Sequence, residues 1–354
     1  MKKFRNYSLA MLLLAGGMTL ASCSSDENEE NVQNKSEMYV VADYPELLNE
    51  GTRSIMDEDY KMMWSASDKL TLFTTNTTND GFDMVSSNRS KPSYRAFFAF
   101  LDSEEKRRFE NAKSFAGEET FAVAAHGPKG MIYEKEKNRI KMHMGFDYGN
   151  GMNTQELFRN NIANRSDLMV SYSEENGINK KCPISEVNTN GSNTLKFKRI
   201  SAILRIKLVP KNDNVKQFLN YEFKGRSGEI STCGNDFNFE NEEIYHKNNF
   251  GGTAYVSLND DDLYNVTKKD GRGIKFVCDQ TQSEEDYFYS GETDDYINIS
   301  VLPTKLEAGK SFCIIIRDGD TAIKRRITLE KPLEFKSGYS YRLNIGIDDG
   351  NIYF

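Results

Sequence analysis

From Trp64 onward the apolar residues fall into short runs separated by turn residues. Leu70–Thr74, Ala96–Phe100, Phe121–Ala125 and Leu168–Tyr172 each predict a strand. Leu195–Ile200 opens a second set. It leads into Ala202–Val209, where Leu204, Ile206 and Leu208 alternate with Arg205 and Lys207. That period of two predicts a half-buried strand, ended by Pro210. Ile297–Val301 alternates and stops at Leu302-Pro303. Ser311–Arg317 and Thr321–Leu329 flank an Asp-Gly turn at Asp318-Gly319, which predicts a hairpin. Gly338–Ile347 is a last strand with Tyr339, Tyr341, Leu343, Ile345 and Ile347 on one face. Helical periodicity is confined to Ser103–Ala112 and Thr154–Ile162. Many short strands with regular turns predict an all-β fold of sandwich type. The Asn/Gly/Ser-rich stretch near Val187–Asn193 divides it into 54–190 and 191–354.

The first 53 residues follow a different pattern. Lys2, Lys3 and Arg5 precede an apolar run of 12 residues, Leu9–Leu20. A membrane span needs about 20 helical residues, so this run has the length of a signal-peptide core. It closes on Leu20-Ala21-Ser22-Cys23, which resembles a bacterial lipobox. Residues 1–22 are thus expected to be removed and Cys23 lipidated, with several acyl chains giving firm attachment. Ser24–Ser36 is a polar linker, and its acidic stretch Asp26–Glu30 resembles an export signal to the outer face of the outer membrane. Met38–Ala42 is a short apolar run that predicts a first strand within this leader.

Charge sharpens the division. The chain of 354 residues carries −7. Residues 1–22 hold +3, residues 23–53 hold −6 and the rest −4. No basic stripe exists to release counterions, so nucleic acid is not an expected partner. The body is long enough to bury cores of its own.

Candidate chemistry is sparse. His126, His143 and His246 are scattered and read as packing or surface residues. Asp260-Asp261-Asp262 and Asp318-Gly319-Asp320 read as turns, since neither completes a calcium loop. Gly309-Lys310-Ser311 lacks the earlier glycine of a phosphate loop, because Thr304 stands there. Cys182, Cys233, Cys278 and Cys313 could form two disulfides outside the cytoplasm, in three connectivities. Asp320-Thr321-Ala322 resembles a short O-glycan acceptor. No metal, cofactor or catalytic residue is expected, and the chain reads as a non-enzyme. Its 18 Tyr and 22 Phe leave one other reading open, a surface lipoprotein that binds glycans without polymerising.

Several segments, in order, resemble the fimbrillin-like family, the lipoprotein subunits of type V pili. They are Trp64…Asp68-Lys69-Leu70, Phe121-Ala-Val-Ala-Ala-His126-Gly-Pro128, Asp167-Leu168-Met169, Phe197-Lys-Arg199-Ile-Ser-Ala202, Leu302-Pro303 and Ser337-Gly338-Tyr339-Ser-Tyr341. The family often has His where Arg199 stands. The resemblance implies two tandem β-sandwiches of transthyretin-like topology. It also implies that an arginine-specific protease cuts after Arg53, leaving Ser54 as the new N-terminus. The lost first strand would be replaced by a donor strand from another pilus subunit. Implied partners are therefore other subunits, the outer membrane through the lipid, the protease, and host or bacterial surface glycans or proteins. The tail from Asp348 to Phe354 is short for a long donor, which points to an accessory, anchor or tip subunit and away from a main shaft subunit.

Overall fold

The computed structural model describes residues 39–353 except 46–47, 50–62, 65–67, 76–80, 87–92, 118–119, 128–130, 145–166, 188–189, 216–226, 234–249, 273, 278–296, 319–320 and 349–351. These residues form an all-β fold; α1, of three turns, is described in full, and residues 213–215 are also helical.

The largest sheet is built from β1 (Tyr39–Asp43), β3 (Lys69–Thr74), β4 (Phe82–Ser86), β5 (Arg95–Phe100), β6 (Ala122–His126), β9 (Met169–Glu175), β10 (Ile178–Lys180) and β11 (Asn190–Arg199). Its order is β10-β9-β11-β1-β5-β4-β3-β6, and β6 pairs again with β9. Seven of the strands therefore close into a ring, with β10 as a hairpin arm outside it. Alternation explains how one ring serves two cores. Leu70, Leu72, Ala124 and Met169 join one cluster with Val40, Ala42, Trp64 and Phe98. Phe73, Val123, Ala125, Leu168 and Val170 face the other way. There they meet Ile140, Met142, Ala254 and Val256 from the sheet β15-β14-β8-β7. That sheet contains β7 (Ile132–Glu134), β8 (Arg139–Met144), β14 (Gly251–Ser257) and β15 (Val266–Arg272).

The helix α1 (Ser103–Ser114) matches the predicted one. Asp102 caps it by accepting from the backbone N–H of Glu104 and Glu105, each at 2.9 Å. Its buried Phe109 packs edge-on against Phe82 at 5.5 Å. The second predicted helix, Thr154–Ile162, lies outside the described residues.

The remaining strands form two facing sheets and a small two-stranded one. The first, in the order β17-β12-β22-β2, holds β2 (Leu48–Asn49), β12 (Ala202–Pro210), β17 (Ile297–Val301) and β22 (Tyr339–Ile347). The second, β16-β13-β19-β20-β23, holds β13 (Ser227–Cys233), β16 (Ile274–Val277), β19 (Ser311–Asp318), β20 (Thr321–Thr328) and β23 (Ile352–Tyr353). The small sheet pairs β18 (Thr304–Leu306) with β21 (Leu333–Phe335). Leu204, Ile206, Leu208, Ile345, Ile347, Phe312, Ile314 and Ile316 share the core between the facing sheets. The predicted hairpin is β19–β20, with Asp318 opposite Thr321. The C-terminal Ile352-Tyr353 lies on the edge of β20.

Two expectations need correction. Ala202–Val209 is not half-buried: it lies between β17 and β22, and Arg205 is buried with its apolar neighbours. The two-disulfide framework does not form: Cys182 is a free buried thiol, while Cys313 is disulfide-bonded. Burial and the Glu186 carboxylate push the Cys182 thiol up to about 12, so it is inert packing. The expected boundary at 190/191 falls at the start of β11, whose pairing partners β1 and β9 precede it in the chain.

Candidate functional site

The strand predicted in the leader is β1, and it lies inside the ring. It pairs antiparallel with β5 from Tyr39↔Ala99 to Asp43↔Arg95. On its other side it runs parallel to β11, with Tyr39↔Asn190, Val41↔Thr194 and Ala42↔Leu195. The register jumps between Tyr39 and Val41, where β11 bulges. Gly191 sits in that bulge at φ +78°, and a Cβ there would lie 2.3 Å from the Tyr39 ring. Only glycine meets both requirements. β2, also from the leader, pairs parallel with β22 at Leu48↔Tyr339. The segment before residue 53 therefore completes two different sheets.

Sequence explains the face β1 presents. Val40, Ala42 and Tyr44 stand at alternate positions and enter the same cluster. Val40 and Ala42 are fully buried and Val41, on the other face, nearly so. Each fully buried valine contributes roughly 1.5–3 kcal/mol. Trp64 fills the space beside β1. Its Nε1 donates to the Ala42 carbonyl at 3.0 Å. Its ring meets Tyr44, Phe98, His126 and Phe197 edge-on, at centroid distances of 4.6–5.8 Å. Small Ala42 leaves room for that indole.

The strand ends at a buried polar cluster. Arg199, the last residue of β11, directs Nε to Asp167 Oδ2 at 2.7 Å, and both side chains are almost wholly enclosed. Tyr44 donates its hydroxyl to the same Oδ2 at 3.0 Å. Ser201 donates to Asp167 Oδ1 at 2.5 Å and accepts from the Leu168 N–H at 3.2 Å. Arg199 Nη2 donates to the Pro45 carbonyl at 3.3 Å. Burial raises the Tyr44 phenol well above its ordinary value, and the Asp167 charge adds to that. For Arg199, burial is the largest influence and acts to lower the guanidinium, but Asp167 and Tyr44 together outweigh it and hold it above its usual value. A buried ion pair repays its desolvation only when its other hydrogen-bonding positions are filled. Two of the fillers here, Tyr44 and Pro45, come from the leader.

At the same end of β1, the contacts to β5 are more exposed. Arg95 grips Asp43 with two hydrogen bonds of 2.8 and 3.0 Å, both side chains largely exposed. The Tyr44 N–H donates to the Tyr94 carbonyl at 2.8 Å.

Cys23, Arg53 and Ser54 lie outside the described residues, as does His246. His126 is a packing residue: Nδ1 is 2.8 Å from the Lys69 carbonyl and the ring meets Trp64 edge-on. His143 Nδ1 lies 3.1 Å from Thr253 Oγ1. Asp260–Asp262 is a turn in which Asp260 pairs with Lys181 at 3.1 Å and Asp262 accepts from Ser257 at 2.6 Å. Thr321 opens β20. Among the described residues no group of acidic, His or Cys side chains could hold a metal ion, and no helix is long and apolar enough to cross a membrane.

Sequence reasoning did not connect Tyr44, Asp167, Arg199 and Ser201. The signal was a charged residue at the end of each of two apolar runs, Asp167 before Leu168 and Arg199 before Ile200, with Tyr44-Pro45 closing a third.

No family model and no curated protein matches the chain. Among solved structures it is similar to a candidate cell adhesion protein of Bacteroides uniformis, with TM-score 0.42, 10% identity and coverage of 90% of this chain and 95% of that one. It is also similar to a candidate cell adhesion protein of Bacteroides ovatus, at TM-score 0.41, 9% identity and coverage of 90% and 94%. A fimbrial assembly protein of Parabacteroides distasonis aligns at TM-score 0.31 and 8% identity over 89% and 92% of the two chains. At such scores the likeness fixes neither the fold nor the role of this chain.

Proposed function

We propose that the protein is a structural subunit of a surface pilus or fimbria, whether in shaft, anchor or tip, that serves adhesion. It is exported as an outer-membrane lipoprotein anchored through Cys23. An arginine-specific protease cuts between Arg53 and Ser54, and the lost leader is replaced by a donor strand from another subunit. The observation that carries this reading is that β1, upstream of Arg53, is an interior strand. Its removal would free the facing edges of β5 and β11 and uncover Trp64 and Phe98. Unpaired edges above an apolar floor invite another strand, which supplies main-chain hydrogen bonds and side chains for the same pockets. Contacts of that head-to-tail kind do not close, so they build filaments. No catalytic group or cofactor enters this role.

The finer architecture belongs to the same proposal. Facing sheets around Ile314 favour a sandwich for the second domain. The closed ring favours a barrel-like first domain, with β11 belonging to it. The test is the N-terminus of protein taken from the cell surface, read by mass spectrometry. Ser54 without lipid is expected in assembled material. Lipidated Cys23 throughout would instead support a permanently anchored, glycan-binding lipoprotein.

A further inference from the structure

We propose that Asp167, Arg199 and Ser201 form a register lock that reads a phenol hydroxyl at the end of whichever strand lies between β5 and β11. The selector half of this proposal rests on the strand-exchange reading above; the lock on β1 itself does not.

Packing sets the register of β1 in part: Ala42 is the small residue beside the Trp64 indole, and the bulge at Gly191 lies against the Tyr39 ring. Val40 and Ala42 occupy the same face. A one-residue slip would bring Val41 and the charged Asp43 to that face in their place. A two-residue slip keeps the same face inward, so parity does not exclude it. What such a slip cannot keep is the polar end. Two residues move Tyr44 by about 7 Å, beyond reach of the carboxylate that now accepts its hydroxyl at 3.0 Å. Asp167 would lose a donor and Arg199 would lose the Pro45 carbonyl, both in a site closed to water. A buried polar group left unpaired is penalised more than a made hydrogen bond is rewarded.

The cluster is also built before the strand arrives. Asp167 and Ser201 bond to each other, Ser201 accepts from Leu168 N–H, and Arg199 reaches Asp167 without help from the leader. The one acceptor oxygen that the leader completes, Oδ2, therefore points at a fixed place. The strand that fits it carries a β-branched residue, a small residue and tyrosine at every second position, as Val40, Ala42 and Tyr44 do. The occupant this chemistry specifies is an extended segment of a partner subunit with that pattern, running parallel to β11. Asp167, Arg199 and Ser201 are positioning residues in this role.

The test uses the full chain and cysteine cross-linking across β1 and β5. Val41→Cys is combined with Phe97→Cys, its observed partner, or with Arg95→Cys or Ala99→Cys, its partners after a two-residue slip in either direction. With Tyr44 present, only the pair 41/97 should cross-link. In a Tyr44→Phe background, which removes one oxygen and keeps the ring, a slipped pair should form at least ten times more than before. Cross-linking confined to 41/97 in both backgrounds overturns the lock. Destabilisation alone would lower all cross-links and would not create a new pair. In a second arm, labelled peptides of residues 38–46, native or Tyr44→Phe, are offered in excess to the same protein. The native peptide should be taken up at least ten times more. Equal uptake overturns the selector. Uptake of neither overturns the selector together with strand exchange, and the cross-link pattern then decides the lock alone.

Discussion

β1 and β22 are both interior strands with a parallel partner, yet they are held by different means. β22 matches β12 over eight consecutive residues, from Ile203↔Ser340 to Pro210↔Ile347, without a break. Its buried end, Ile345 and Ile347, enters an apolar cluster. β1 has three partners on β11, a bulge between them, and a buried ion pair at its end. Length and apolar area hold the first strand. A short ladder plus a specific polar end holds the second. The difference teaches that an interior strand with a short, bulged ladder can be held by a directional polar contact at its end where a longer one is held by area.

The comparison breaks most visibly at the ion pair. Asp167→Ala leaves Arg199 charged and enclosed without its partner, and should cost about 3–5 kcal/mol in denaturant unfolding. Replacing both with apolar residues of similar volume should recover much of that loss. If Asp167→Ala costs no more than a surface pair does, the polar end is not holding β1.

A smaller loss should follow Ile345→Ala, about 2–5 kcal/mol from the cavity left in the β22 core. Hydrogen exchange separates it from the first variant. The β22 and β12 amides should lose protection while those of Tyr39–Asp43 keep theirs. Tyr44→Phe should do the reverse at about 1–3 kcal/mol, the penalty for one buried acceptor losing a donor. Arg95→Ala should cost under about 1 kcal/mol, because that ion pair lies in solvent.

Alkaline pH sharpens the contrast further. Burial lowers Lys268 of β15 to about 8, against 10.5 when unfolded. The unfolded chain therefore binds more protons between those values, and stability from this group rises with pH across that window. Tyr44 shifts the opposite way, its folded value lying above the unfolded 10. Its contribution is complete below pH 10 and is lost as pH rises from there through its own raised value. Exchange measured from pH 8 to 10, corrected for base catalysis, should show protection growing around Lys268 and constant at β1.

Much of this was legible in the sequence. Period-two alternation announced β12, β17 and β22, a short apolar run announced β3, and the Asp318-Gly319 turn announced the β19–β20 hairpin. Helical periodicity over Ser103–Ala112 announced the helix, and the structure adds the Asp102 cap. Alternation reports parity but not neighbours, so ring closure through β6 and β9 was hidden. The lock was hidden for the same reason. Tyr44 and Asp167 are 123 residues apart, and their contact depends on the strand order. Arg205 misled because a charged residue between apolar ones usually marks a solvent face. In a strand paired on both sides and covered on both faces, it does not.

The most direct test of strand exchange is to cut the surface-extracted protein with an arginine-specific protease and follow its mass by light scattering, with mass spectrometry of the new N-terminus. Cutting after Arg53 should release the leader containing β1, and the remaining chain should grow into multimers that added native peptide 38–46 suppresses. A protein cut after Arg53 that stays folded and monomeric at high concentration, with its leader gone, would contradict strand exchange.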